Sequence, residues 1–281
     1  MSTSVVEKKV QSGAIASHVL LAGDPKNPPA ILLHGAGPGA TAASNWMRCA
    51  PDLAKHYYVI APDLVGFGQT ELPAELPTHI LGWIGHRVEQ VLGLMDTLGV
   101  ARAHVVGNSM GGALTLHALV QAPDRFDKVL LMGAIGAPFE YSWEMKRLLE
   151  FYKDPRPARY KEVIESFVHD PAAVPGLDEI IKQRYAVAMD PKTREMTNLL
   201  FQAQAAGMND LTVPEAQLGR LPHPVLLVHG RQDRIVPLDT SLYFLKHLQQ
   251  AELVVLDRCG HWAQTQRWDA MYPLIVKHFG G

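Results

Sequence analysis

Short apolar runs recur along the chain at residues 30–33, 57–61, 104–107, 129–132, 225–228 and 253–256, with helix-length segments between them. Most are aliphatic on both faces and lack polar alternation, which is how strands covered by helices on both sides read. Each ends in a turn signal: His34-Gly35, Pro62-Asp63, Gly107-Asn108, Gly133, His229-Gly230, and Asp257 onward. The repetition predicts an α/β fold with a doubly wound, mainly parallel sheet. Ahead of it, residues 4–10 and 17–22 flank Gly13 and predict an antiparallel edge hairpin. The alternation breaks over residues 136–210, where apolar side chains such as Met145, Leu148, Leu149 and Tyr152 fall at helical spacing. Pro138, Pro155, Pro157, Pro171, Pro175 and Pro191 cut this stretch into short helices. It predicts a helical cap inserted over the C-terminal edge of the sheet, between core segments 1–135 and 211–281.

Composition narrows the function classes. A hydrophobic fraction of 47% over 281 residues supports a sizeable core. With 26 basic against 28 acidic residues and no run of like charge, neither a nucleic-acid partner nor a membrane surface is expected. Two cysteines, Cys49 and Cys259, make no disulfide framework and are expected as reduced thiols. Glu7, Lys8 and Lys9 stand where a secretory signal needs an apolar run. No stretch reaches the roughly 20 apolar residues of a membrane span, so a cytoplasmic protein is expected.

The strongest local signal is Gly107-Asn108-Ser109-Met110-Gly111-Gly112, between a strand run and a helical segment. This is the G-x-S-x-G nucleophile elbow in its required strand–turn–helix setting. The turn is tight enough that small residues are needed two before and two after Ser109. It presents the serine at the sheet edge, with the Met110 N–H at a helix N-terminus aimed at a developing oxyanion. A serine needs a base. Among 13 histidines, His261 lies on the loop after the last strand run, where this chain order puts the base. Asp233, just after run 225–228, is the acid that would orient it, giving the order Ser–Asp–His of α/β-hydrolases. The alternative acid position, after run 129–132, reads Gly133-Ala134-Ile135-Gly136 and offers no carboxylate. Asp239 and Asp257 read as capping or surface residues. The glycine-rich loop His34-Gly35-Ala36-Gly37-Pro38-Gly39 supplies the second oxyanion donor, the Ala36 N–H, with His34 holding the loop. No phosphate-loop, H-E-x-x-H or C-x-x-C pattern occurs, so no metal site is expected.

Several segments together resemble the meta-cleavage product hydrolases, carbon–carbon bond hydrolases of aromatic degradation within the α/β-hydrolase superfamily. They are residues 34–39 with Ser44-Asn45-Trp46, the elbow at 107–112, and Cys259-Gly260-His261-Trp262-Ala263-Gln264. The resemblance runs over nearly the whole chain and includes Gly66-Phe67-Gly68 and residues 233–237. It implies an α/β-hydrolase fold with a helical cap, an acidic 2-hydroxy-6-oxohexa-2,4-dienoate substrate and no cofactor. It also implies a cap arginine for the substrate carboxylate, which Arg184 matches, with Asn45 and Asn108 around the polar end. Trp262 matches a tryptophan lining that end, and Phe167 an apolar wall. The implied chemistry ketonises the dienol, with His261 handling the proton, and then attacks the distal carbonyl through Ser109 or through water activated at the Ser109–His261 pair. Homodimers are common in the family. Residues 207–212 lack a tryptophan that some biphenyl-pathway members carry, which favours an alkyl or small aryl distal group. Phe139, Tyr141, Trp143, Met145 and Phe151 of the cap are expected in its core. The alternatives are a serine carboxylesterase, which needs the triad without Arg184 or Asn45, and a non-catalytic ligand receptor on the same fold.

Overall fold

The computed structural model describes residues 4–280. Strands β1 (Val6–Ser12), β2 (Ile15–Ala22), β3 (Pro29–Leu33), β4 (Tyr58–Pro62), β5 (Ala103–Asn108), β6 (Phe126–Met132), β7 (Val225–Gly230) and β8 (Ala251–Leu256) make up the sheet. Their order is β1-β2-β4-β3-β5-β6-β7-β8. Pairing is antiparallel for β1 with β2 and for β2 with β4, and parallel from β4 onward. The edge hairpin forms with Val6 opposite Leu21 and Ser12 opposite Ile15, so its first strand ends two residues later than the sequence pattern suggests. Gly13, at φ 61°, closes a two-residue loop there, and loop length sets the register.

Strands β3 to β7 bury both faces, as their unbroken apolar runs require. Alternate residues feed opposite layers: Ile31, Leu33, Val105, Leu131 and Leu227 pack into one core, and Ala30, Leu32, Val106, Leu130 and Leu226 into the other. At about 1.5–3 kcal/mol for a fully buried aliphatic side chain, each layer supplies a large share of the stability. The β8 strand departs from the expectation of burial on both sides. It is paired only with β7, and of its residues only Leu256 is buried, with Val255 exposed.

Between β6 and β7 the described residues form helices and no strand. The longer helices are Trp143–Leu149, Pro157–Glu165, Leu177–Met189 and Pro191–Gly207. Pro157 and Pro191 each open a helix, where the missing N–H costs nothing. Met145 and Phe151 are buried and Phe139 and Tyr141 half-buried, but Trp143 is 69% exposed and is not core. It is the first residue after the Ser142 cap, and the helix turns Met145, Leu148 and Leu149 inward instead. The helices are tied to the sheet's C-terminal edge: Tyr160 Oη donates to the Pro38 carbonyl (2.8 Å), Ser142 Oγ to that of Ile235 (3.1 Å), and Trp262 N to that of Phe167 (3.2 Å). Among the described residues no helix is long and apolar enough to cross a membrane. Cys49 and Cys259 are free thiols, both buried.

Candidate active site

The elbow closes directly after β5. Ser109 sits at φ 54°, ψ −116°, a conformation that costs a non-glycine residue on the order of 1–3 kcal/mol. The surrounding backbone holds it there: Ser109 N donates to the Met132 carbonyl (3.0 Å), and its own carbonyl accepts from Gly112 N (2.9 Å) and Ile135 N (3.2 Å). A Cβ at Gly107 would meet Thr115 Oγ1 at 2.5 Å, and one at Gly111 would strike the Leu33 carbonyl. The small residues two before and two after the serine are therefore a packing requirement. Helix Met110–Gln121 begins immediately after Ser109.

Asp233 and His261 meet as a buried pair, with Asp233 Oδ2 2.7 Å from His261 Nδ1. The other oxygen, Oδ1, accepts from Ile235 N (2.8 Å) and Val236 N (3.0 Å). An ionised carboxylate only accepts, so Nδ1 carries the proton and Nε2 is left as the basic nitrogen. Burial works against the charge on Asp233. Attraction to the His261 ring in its protonated form, followed by hydrogen bonds from His229 and His261, outweighs it and holds the carboxyl well below its usual range. Gly133 touches the pair: a Cβ built there would lie 3.0 Å from His261 Nδ1 and 3.2 Å from Asp233 Oδ2. Ser109 N is bonded to Met132, the residue before Gly133, so the elbow and the His261–Asp233 pair both adjoin this glycine. Ser109 Oγ makes no hydrogen bond among the described residues; such contacts commonly tighten only when substrate is bound.

The backbone N–H groups of Met110 and Ala36 have no acceptor among the described residues. Behind the second of them, His34 Nδ1 donates to the Gly35 carbonyl (2.9 Å) and Nε2 accepts from Leu64 N (3.1 Å). His34 is fully buried, and burial pulls its pKa down to about 4, so the ring is neutral.

Arg184 projects from helix Leu177–Met189 and is 3% exposed. Its guanidinium lies over the Trp262 ring at 4.9 Å, with one 3.4 Å bond from Nη1 to Ser44 Oγ and none from the buried Nε. No carboxylate pairs with it among the described residues. Asn45 Nδ2 donates to the Thr41 carbonyl (2.8 Å), beside Ser44. Asn45, Arg184 and Trp262 line a cavity of about 830 Å³ that is also bounded by Arg48 and Trp268. Ser109 and His261 do not line it; open space and chemistry adjoin through Trp262, the neighbour of His261. Phe167 does not line the cavity but is buried behind Trp262, its ring 4.9 Å from that of Trp262 and 5.5 Å from that of His261. Asn108 does not line this cavity. It is buried at the elbow with Nδ2 on the Met132 carbonyl (3.1 Å), and its Oδ1 faces Gly35.

The alpha/beta hydrolase family model matches residues 30–274. A solved structure of 2-hydroxy-6-oxo-6-phenylhexa-2,4-dienoate hydrolase from Rhodococcus sp. strain RHA1 is 58% identical, covers 100% of both chains and superposes with a TM-score of 0.98. The 2-hydroxy-6-oxo-2,4-heptadienoate hydrolase of Pseudomonas putida is 35% identical over 85% of this chain and 84% of its own. A meta-cleavage product hydrolase from Pseudomonas fluorescens IP01 is 32% identical over 97% of each chain, with a TM-score of 0.89. The chain belongs to the meta-cleavage product hydrolases of the alpha/beta hydrolase family.

Sequence reasoning about this hydrolase passed over two supports of the site. His229 lies 3.4 Å from Asp233 Oδ2 and is pinned between Ser241 Oγ (2.8 Å) and the Val236 carbonyl (3.0 Å). A histidine closing a buried strand four residues before the acid was the available signal, and it read only as a turn. Tyr160 is buried, bridges to the 34–39 loop and lies within hydrogen-bonding reach of Arg184. Nothing local in the sequence marks it, because its partners come from distant segments.

Proposed function

We propose that this hydrolase cleaves the carbon–carbon bond of 2-hydroxy-6-oxohexa-2,4-dienoates, taking up one water to release 2-hydroxypenta-2,4-dienoate and a carboxylic acid. The carrying observation is Arg184: a buried guanidinium without a carboxylate partner, facing a cavity shared with Asn45 and Trp262. A plain esterase needs a triad but no such cation, whereas an acidic dienol supplies the anion this site lacks. A planar guanidinium suits a carboxylate because it offers two parallel donors. The substrate classes named for the relatives all carry that carboxylate.

In this reading the helical segment 136–210 caps the site, and Arg184 with Asn45 holds the substrate's polar end. Trp262, backed by Phe167, forms the apolar wall, and Asn108 supports the elbow beside the hydroxy/oxo group. His261, fixed through Nδ1 on Asp233, uses Nε2 to take the proton of the 2-hydroxyl and pass it to the carbon next to the distal ketone, converting dienol to ketone. The same nitrogen then accepts the proton of the nucleophile delivered at Ser109. The N–H groups of Ala36 and Met110 receive the oxyanion. When the tetrahedral centre collapses, the carbon–carbon bond breaks and its electron pair passes into the dienolate anchored at Arg184.

The test compares bleaching of a yellow 2-hydroxy-6-oxo-dienoate with hydrolysis of a nitrophenyl ester by the purified protein. A far higher kcat/KM on the dienoate is expected; the reverse ranking overturns the assignment in favour of the carboxylesterase. A panel with methyl, isopropyl and phenyl groups on the distal ketone then ranks the distal substituent. The missing tryptophan at 207–212 favours alkyl or small aryl groups.

A further inference from the structure

Arg87 is the second buried arginine among the described residues, and the mechanism above does not use it. It stands on helix Ile80–Thr97 and is completely buried. Its Nε donates to the Val65 carbonyl (3.0 Å) and its Nη1 to Met110 Sδ (3.2 Å), while Nη2 is buried without a partner. The guanidinium carbon lies 5.3 Å from the Phe67 ring centre and 5.8 Å from that of Trp83. No carboxylate pairs with it among the described residues. Burial draws its pKa down only to about 9, so the charge persists at neutral pH. An unpaired buried charge lowers stability, and an apolar side chain of similar volume is commonly the more stable occupant.

Its neighbours point to what the charge does. Met110 is the residue whose N–H stands free beside Ser109. Phe67 meets the His34 ring edge-on at 5.3 Å. His34 donates to the Gly35 carbonyl, and that carbonyl shares a planar trans peptide with the Ala36 N–H, so fixing one end aims the other in the opposite direction. The Leu64 N–H that sets the His34 tautomer belongs to the same turn as Val65, which accepts from Arg87. One guanidinium thus reaches the supports of both free N–H groups.

We propose that Arg87 is a positioning residue for the oxyanion hole: it fixes Met110 and, through residues 64–67 and His34, the Gly35–Ala36 peptide. It also adds a fixed positive field where negative charge develops on the distal carbonyl oxygen. The proposal rests on reading Ala36 and Met110 as the oxyanion donors. Its consequence is selective. Ketonisation withdraws dienolate charge from that oxygen, whereas attack on the carbonyl places a full charge there, so Arg87 assists cleavage and not the proton transfer that precedes it.

Stopped-flow absorbance on a dienoate, following loss of the dienol and release of the product dienoate, separates the two steps for Arg87→Met, Arg87→Lys and Ser109→Ala. The methionine variant is expected to slow cleavage about 10- to 100-fold, with ketonisation and KM within about 2-fold of the parent. The lysine variant keeps the charge but loses the fork, and is expected between the two. It carries the test if the methionine variant fails to fold. In parallel, a phenylboronic acid, which forms an anionic tetrahedral adduct on a serine, should bind the Arg87 variants more weakly. Equal slowing of both steps in the variants, or a raised KM at unchanged kcat, overturns the role assigned to Arg87. Full cleavage by Ser109→Ala overturns the underlying site reading independently of any Arg87 variant.

Discussion

On the sheet side of the site, the working groups are held by backbone. Ser109 is locked by main-chain bonds to β6 and by two glycines that leave no room for a side chain. Asp233 is clamped by two amides of its own loop, and the free N–H groups of Ala36 and Met110 belong to strand-end turns. On the helical side, Arg184, Phe167 and Tyr160 are held by packing: a guanidinium on an indole, a ring on a ring, a hydroxyl reaching the 34–39 loop. The difference separates two jobs. In the proposed mechanism the chemistry that needs sub-ångström placement falls to rigid turns, and the hold on the substrate to side chains on the helical segment.

Four experiments break or sharpen that division. The largest effect is expected on the sheet side: Ser109→Ala or His261→Ala should lower kcat by about 10⁴-fold or more, with the circular-dichroism melting curve little changed. Residual turnover within 10² of the parent would sink the triad assignment. Next comes the helical side, where Arg184→Gln should cut kcat/KM on the dienoate about 10²–10³-fold because a charged partner is left unpaired. Nitrophenyl ester turnover should stay within a few-fold, and a parallel loss on both substrates would erase the distinction between the two sides.

Gly133→Ala tests the seam between nucleophile and base. With φ at 48° and the new methyl 3.0 Å from His261 Nδ1, kcat should fall about 10-fold through displacement of the His261–Asp233 pair. Retention of full kcat would show that the pair has slack. The smallest effect concerns protonation of His34. Its folded pKa of about 4 lies below the ordinary 6.5, so the unfolded chain binds more protons between those values. Stability should therefore fall as pH drops through that window, by on the order of 3 kcal/mol at most. The His34 ring resonances should remain those of a neutral imidazole down to about pH 4; titration near pH 6.5 would mean that the 34–39 loop is open to water.

Much of the sheet side was legible in the chain. Strict apolar runs mark β3 to β7, and Ser109, Asp233 and His261 each follow one of these or the last run closely enough that topology alone delivers them to one edge. The exceptions turn on context that an apolar pattern does not carry. The β8 strand reads as buried because its apolar run cannot say that nothing pairs beyond it. Trp143 reads as core because its phase on the helix depends on where Ser142 caps it. Arg184 and Phe167 were found through resemblance, since an arginine on a helix is ordinarily solvated.

The sequence by itself determined the doubly wound sheet, the all-helical insertion and the serine elbow, because strand periodicity, helix starts and tight turns are short-range constraints that few residues satisfy. Only the tertiary structure decided that His229 flanks the acid, that Tyr160 and Trp262 frame Arg184, and that Arg87 lies uncompensated behind Met110. His229 stands four residues from Asp233, but the other relations join residues 23 to 78 apart in the chain. They depend on burial, which sets the strength of a charge and exists only once the helices close over the sheet.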